Sequence, residues 1–153
     1  MRLVDLILWR HADAEDGEFD LKRKLTARGQ RHAARVADWL LQRLPSKFSV
    51  VAGPSERTRQ TAHALGVPYK ICACITPESS VAELLNTVQW PERKGAVIVV
   101  GHQPVLGQVA SLMVSNTAME WTVKKGGLWW LTNRVRGDEA QVVIRAVVTP
   151  DLL

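Results

Sequence analysis

Three places in this 153-residue sequence set a cation or an imidazole directly after an apolar run or in the first turn of a helical pattern. The run Leu6-Ile7-Leu8-Trp9 ends in Arg10-His11. Phe48-Ser49-Val50-Val51-Ala52 leads through Gly53-Pro54 to Arg57, and Ala96-Val97-Ile98-Val99-Val100-Gly101 ends in His102. Arginine carries a permanent charge on a fork of donors suited to phosphate, and histidine can act as nucleophile or proton carrier near neutral pH. In an open α/β sheet, ligands collect at the carboxyl ends of the strands. His102 would also sit ahead of a helix opened by Pro104, where unpaired N–H groups and the helix dipole favour anions. Each site alone reads equally well as a strand end meeting water. Together they imply one pocket for phosphate chemistry.

The elements around them can be read from periodicity. After the first strand, the passage Asp13 to Asp20 is acidic and turn-like and switches to Lys22-Arg23-Lys24, which reads as solvated surface. Thr26 is placed to cap a helix carrying Ala33, Val36, Ala37, Leu40, Leu41 and Leu44 at helical spacing until Pro45, with His32 toward solvent. A second helix is expected to start at Gly53-Pro54, with glycine as its cap and proline at its first position, and to run to Gly66. Tyr69 to Ile75 reads as a short strand. Glu78 to Val88 reads as a helix with Val81, Leu84, Leu85 and Val88 inward, and Trp90 to Gly95 as a turn. The continuous aliphatic run 96–100 is the strongest buried-strand signal. The helix after Pro104 places Leu106, Val109, Ala110, Met113 and Val114 on one face. Leu128 to Thr132 and Gln141 to Val148, parted by Arg136-Gly137-Asp138, predict a hairpin at the sheet's edge. The pattern predicts an α/β fold: a single three-layer domain over 1–153, with a mostly parallel central sheet flanked by helices and an antiparallel edge hairpin near the C-terminus.

A composition of 46% hydrophobic and 23% charged residues is that of an ordinary globular protein and excludes disordered, collagen-like and disulfide-scaffold classes. No stretch has the length of a membrane span, and the start lacks the pattern of a secretory signal, so a cytoplasmic location is expected. In an extended segment, Cys72 and Cys74 would share one face without closing a comfortable ring, which predicts free thiols. His11, His32, His63 and His102 lie too far apart to form a short ligand motif, so neither metal nor cofactor is expected. A net charge of +5 suits an anionic ligand, but no nucleic-acid signature accompanies it. The six tryptophans read as packing residues.

Arg10-His11-Ala12, then Gly53-Pro54-Ser55-Glu56-Arg57-Thr58-Arg59-Gln60-Thr61, then Gly101-His102-Gln103-Pro104, with Leu25-Thr26 and Gly29 between the first two, resembles the motif set of the histidine phosphatase superfamily. The short length and the Arg-His-x-Asp-Ala opening are most similar to its SixA phosphohistidine phosphatases. Two positions depart from the pattern: Ala12 stands for a glycine and Gly53 for a serine. The extra methyl of Ala12 would narrow the site or shift its backbone. The resemblance implies that His11 is the nucleophile, a choice over His102 that spacing alone does not make, and that Arg10, Arg57 and His102 hold the phosphoryl oxygens without a metal. It assigns no general acid; Asp13, Glu78 and Glu83 are the nearby carboxylates, and none matches the family's pattern. Between the Arg57 helix and Gly101 the sequence has no room for the lid or cap insertion of larger members. The implied substrate is a phosphohistidine-bearing protein. The alternatives are a small phosphate ester, hydrolysed or returned by a mutase, and a silent phosphate-binding domain. Neither a membrane nor a specific nucleic acid is an expected partner.

Overall fold

The computed structural model describes residues 2–91 and 95–153. Six strands form one sheet in the order β3-β2-β4-β1-β5-β6. They are β1 (Arg2–Arg10), β2 (Phe48–Ala52), β3 (Lys70–Ile71), β4 (Gly95–Gly101), β5 (Leu128–Arg136) and β6 (Glu139–Val148). The β3-β2, β2-β4 and β4-β1 pairs are parallel, while β1-β5 and β5-β6 are antiparallel. The helices are α1 (Ala27–Leu41), α2 (Glu56–His63), α3 (Val81–Val88) and α4 (Val105–Ser115).

The central position of β1 explains its sequence. A strand with partners on both sides and helices on both faces has no polar side, and Leu6, Ile7, Leu8 and Trp9 are all fully buried. The pleat sends alternate residues to opposite layers. Leu6 and Leu8 pack with Leu84 and Val88 of α3 and with Leu106 and Val109 of α4. Ile7 and Trp9 pack with Val36 and Leu40 of α1 and Ala62 of α2. Each such side chain contributes about 1.5–3 kcal/mol on burial. The three-layer α/β expectation thus holds, with α1 and α2 on one face and α3 and α4 on the other. The hairpin is longer than its sequence signal; β6 forms the edge, and β5 lies inside the sheet against β1.

Several local expectations are corrected. Helix α2 begins at Glu56, capped by the Ser55 side chain, which accepts from the Thr58 N–H. Gly53 is needed for a close approach instead, because a Cβ there would strike the Ile75 carbonyl oxygen. The third strand is only Lys70–Ile71, and the chain then turns. That turn brings the Cα atoms of Cys72 and Cys74 to 5.3 Å, and the two form a disulfide instead of remaining free, since the segment is not extended there. Helix α3 begins at Val81, where Ser80 and Glu83 form a reciprocal capping box. Glu78 therefore belongs to the preceding turn, its N–H donating to Thr76 Oγ1 at 3.3 Å. Leu41 is exposed and does not widen the apolar stripe, which passes from Leu40 to Leu44. The turn expected at 90–95 lies partly outside the described residues. No helix among the described residues is long and apolar enough to cross a membrane.

Candidate active site

Parallel pairing of β1, β4 and β2 brings three strand ends level. Arg10 lies opposite Gly101, and Ala52 opposite Val100. The ladder continues one residue past each strand: the His11 N–H donates to Gly101 O at 3.1 Å and the Gly53 N–H to Val100 O at 3.1 Å. The sheet therefore fixes where Arg10, His11 and His102 stand, and α2 brings Arg57 from the next junction. All four meet at one edge of the sheet, with the His11 and His102 ring centroids 5.3 Å apart.

His11 is 8% exposed, so it is a buried group and not a solvent-facing strand end. Its Nδ1 lies 2.8 Å from the Ala12 carbonyl oxygen. A carbonyl only accepts, so Nδ1 carries the proton and, in the neutral ring, Nε2 keeps its lone pair. Burial, with the charges of Arg57, Arg10 and Arg23, pushes the His11 pKa down to about 4 despite the Ala12 bond, so the ring is neutral at pH 7. Burial likewise pushes His102 down to about 3, helped by His11, Arg57 and Arg10. Burial also lowers the Arg10 pKa from its high ordinary value.

Three nitrogens at this edge are buried without a hydrogen-bond partner: Arg10 Nε, Arg57 Nε and His102 Nε2. Buried donors are nearly always satisfied, so a cluster of orphans beside a neutral imidazole marks a place shaped for an acceptor that arrives from outside. Other nitrogens of the two arginines are anchored. Arg10 Nη1 donates to Val123 O at 3.0 Å. Arg57, 3% exposed, donates Nη1 to Asp20 O at 2.7 Å and Nη2 to Asp20 Oδ2 at 3.1 Å.

The walls come from parts of the chain that sequence reasoning left as surface. Asp20 Oδ1 also accepts from Arg23 Nη1 at 3.2 Å, so one carboxylate joins two arginines. Burial alone would raise the Asp20 pKa, but the hydrogen bonds from Arg57 and Arg23 outweigh it and hold the carboxyl below its ordinary range. The segment before β5 forms the other wall. The Gly126 N–H donates to His11 O at 2.9 Å, and the Trp9 indole Nε1 donates to Gly126 O at 2.9 Å. Thr61 Oγ1 accepts from the Ala12 N–H at 3.0 Å and donates to Arg57 O at 2.8 Å, tying α2 to the end of β1. Gln60 Oε1 accepts from the Leu25 N–H at 2.7 Å. The Asp20 contact had no sequence signal beyond an acid in a loop, whereas Gln60 and Thr61 lay within the quoted motif.

The Ala12 methyl does not narrow the site. It is fully buried and packs with Leu25 and Ala33 beneath α1. Gly29 permits that arrangement, since a Cβ there would strike the Asp13 carbonyl oxygen. Of the candidate acids, the Asp13 carboxylate is engaged by Thr26 Oγ1 at 2.9 Å and Lys125 Nζ at 3.3 Å, and the Thr26 bond leads in lowering its pKa. Glu83 is held in its capping box. Glu78 is exposed in its turn and makes no ion pair among the described residues. Among the described residues, no group of three or more His, Cys, Asp or Glu side chains is placed to hold a metal ion.

Known proteins resemble this chain in sequence and in fold. A sequence profile described as the histidine phosphatase superfamily, branch 1, matches residues 6–90. An uncharacterized protein of Picosynechococcus sp. (strain ATCC 27264 / PCC 7002 / PR-6) is 31% identical, with 82% of each chain covered. Among solved structures, a protein assigned as the phosphohistidine phosphatase SixA of Nakamurella multipartitia superposes with a TM-score of 0.77 at 25% identity, over 98% of each chain. The protein histidine phosphatase SixA complexed with tungstate superposes with a TM-score of 0.81 at 20% identity, over 97% of this chain and 98% of that one.

Proposed function

The chain belongs to the histidine phosphatase superfamily, branch 1, and from that premise we propose that this phosphatase hydrolyses phosphohistidine on a protein through a phosphorylated His11. The observation that carries the reading is the trio of orphaned buried nitrogens on Arg10, Arg57 and His102 around an imidazole whose Nε2 lone pair is free.

In the first step, His11 Nε2 attacks phosphorus and the phosphorus–nitrogen bond of the substrate breaks. The departing imidazole takes a proton from water. A departing imidazole needs that proton far less urgently than an alkoxide does, which suits a site where no carboxylate is assigned as acid. In the second step, water attacks the His11 phosphoramidate, giving inorganic phosphate and the original imidazole. Arg57 and Arg10 neutralise the equatorial oxygens as charge spreads over them, and His102 donates from Nε2. Phosphoryl transfer depends on such positioning and charge stabilisation more than on bond chemistry supplied by side chains.

Substrate size follows from the same reading. The described residues between α2 and β4 form one short strand and one short helix, which supports a pocket mouth without an inserted cap. It grips a small ester by little beyond its phosphate, yet leaves room for a phosphohistidine standing on a folded surface. The test is turnover by the pure protein, with and without a chelator, of a phosphohistidine-bearing domain against sugar phosphates and phosphoserine peptides. The expected result is a kcat/KM far higher for the phosphohistidine domain, indifferent to chelator, with an acid-labile and alkali-stable phosphoenzyme. Sugar phosphates turned over equally well would defeat the substrate assignment, and an acid-stable intermediate would defeat the role of His11.

A further inference from the structure

The short 3₁₀ turn Asp20–Lys22 is the part of the pocket wall whose composition the chemistry above does not explain. Its middle and preceding residues, Leu21 and Phe19, are 56% and 64% exposed. Scattered single apolar side chains on a surface need no explanation. Here two large ones flank Asp20, whose carboxylate and carbonyl both hold Arg57.

The turn is also held in place. The Lys22 N–H donates to Phe19 O at 3.0 Å and the Arg23 N–H to Asp20 O at 3.3 Å. Arg23 Nε donates to Glu15 O at 2.8 Å while its Nη1 reaches Asp20 Oδ1. The Lys22 ammonium lies 5.3 Å from the Phe19 ring centroid. Phe19 and Leu21 are thus displayed on a bonded scaffold, the condition under which apolar anchors bind at low ordering cost.

We propose that Phe19 and Leu21 form the docking element for the protein substrate: a folded domain with an apolar patch beside its phosphohistidine. This rests on the phosphohistidine reading of the site. An imidazole side chain is short, so seating its phosphoryl group on Arg57 presses the surrounding surface of its own domain against whatever rims Arg57. That rim is the Phe19-Asp20-Leu21 turn. A free phosphorylated small molecule has no such surface and passes the two side chains without using them. A few anchors carry most of the binding energy of an interface, and phenylalanine is among the residues enriched there, so Phe19 is the leading anchor and Leu21 the lesser one.

The test compares the wild-type enzyme with Phe19→Ser, Leu21→Ser and the double variant on two probes: phosphoramidate, and a small folded domain phosphorylated on a surface histidine. The expected result is a fall of about tenfold or more in kcat/KM for the phosphorylated domain in the double variant, carried by KM. Phosphoramidate turnover and thermal stability should be unchanged, and Phe19→Leu should keep most of the affinity. Equal losses on both probes would mean that the turn acts only by holding Arg57, and would overturn docking. A wild-type preference for the phosphorylated domain that survives both serine substitutions would overturn docking and leave the substrate reading intact. A wild-type enzyme with no such preference would overturn the substrate reading and the docking role together.

Discussion

The junctions after β1 and after β4 are near copies: a parallel strand, an imidazole level with its neighbour's strand end, and burial that keeps both rings neutral at pH 7. They differ in one bond. His11 spends its Nδ1 proton on the carbonyl of the following residue and keeps Nε2 as a base. His102 has a buried Nε2 with nothing to bond. On the proposed mechanism, the same residue type in the same setting serves as nucleophile where the backbone occupies its Nδ1 and as phosphoryl-oxygen partner where Nε2 is left unbonded.

The contrast can be broken most severely at His11. His11→Asn should lower turnover by about a thousandfold or more and abolish the trapped phosphoenzyme. Radiolabel recovered on the variant would reassign the nucleophile. His102→Gln should lose about 10²–10³ in kcat, the usual cost of one oxyanion donor. It should still form a phosphoenzyme, now slowly; complete loss of labelling would make the two histidines equivalent.

Arg57→Lys should cost about tenfold to a hundredfold, because a single ammonium nitrogen cannot reproduce the planar fork whose two Nη atoms hold Asp20 while Nε stays free for phosphate. Arg43→Lys serves as the control. Arg43 stacks on Trp39 at 4.6 Å, on the exposed side of α1's end, and equal tolerance at both positions would remove Arg57 from the site.

The smallest effect is on stability. Below pH 6.5 the unfolded chain protonates both histidines, whereas the folded chain resists until about pH 4 at His11 and about pH 3 at His102. The unfolded state then binds more protons, so stability present above pH 6.5 drains away as pH falls toward 4. Tm measured from pH 7.5 to 4.5 should decline, and less steeply in His102→Gln. Inorganic phosphate should oppose the decline, since a bound anion favours the protonated rings. A pH-independent Tm would show that both rings protonate freely in the folded protein.

The elements that hold these histidines were readable because they are dictated by one-dimensional patterns. The aliphatic runs of β1 and β4, the Thr26 cap and the stripe of α1 each follow from local spacing, and parallel strands of that kind must align their ends. Asp20 was not readable, because its partner lies 37 residues away and an acid in a polar loop has no periodicity. The Nδ1 bond of His11 depends on one carbonyl's direction, which no residue type encodes. Cys72–Cys74 was misread for a related reason: β3 stops after two residues, and the turn that closes the ring has no glycine or proline to announce it. The cap of α2 was misplaced by one plausible proline, while the serine beside it did the capping.

The central placement of β1 also sets the order of events during synthesis. Its two partners, β4 and β5, are complete only at Gly101 and Arg136, so the first strand of the sheet to emerge waits for more than ninety further residues before it can pair. At about 5–20 residues per second, that wait is on the order of ten seconds. Throughout it, Leu6 to Trp9 have no ladder to join, and pairing so distant in sequence belongs to the slower-folding topologies. The strand that leads into His11 is thus the one that spends longest without its partners in a nascent chain.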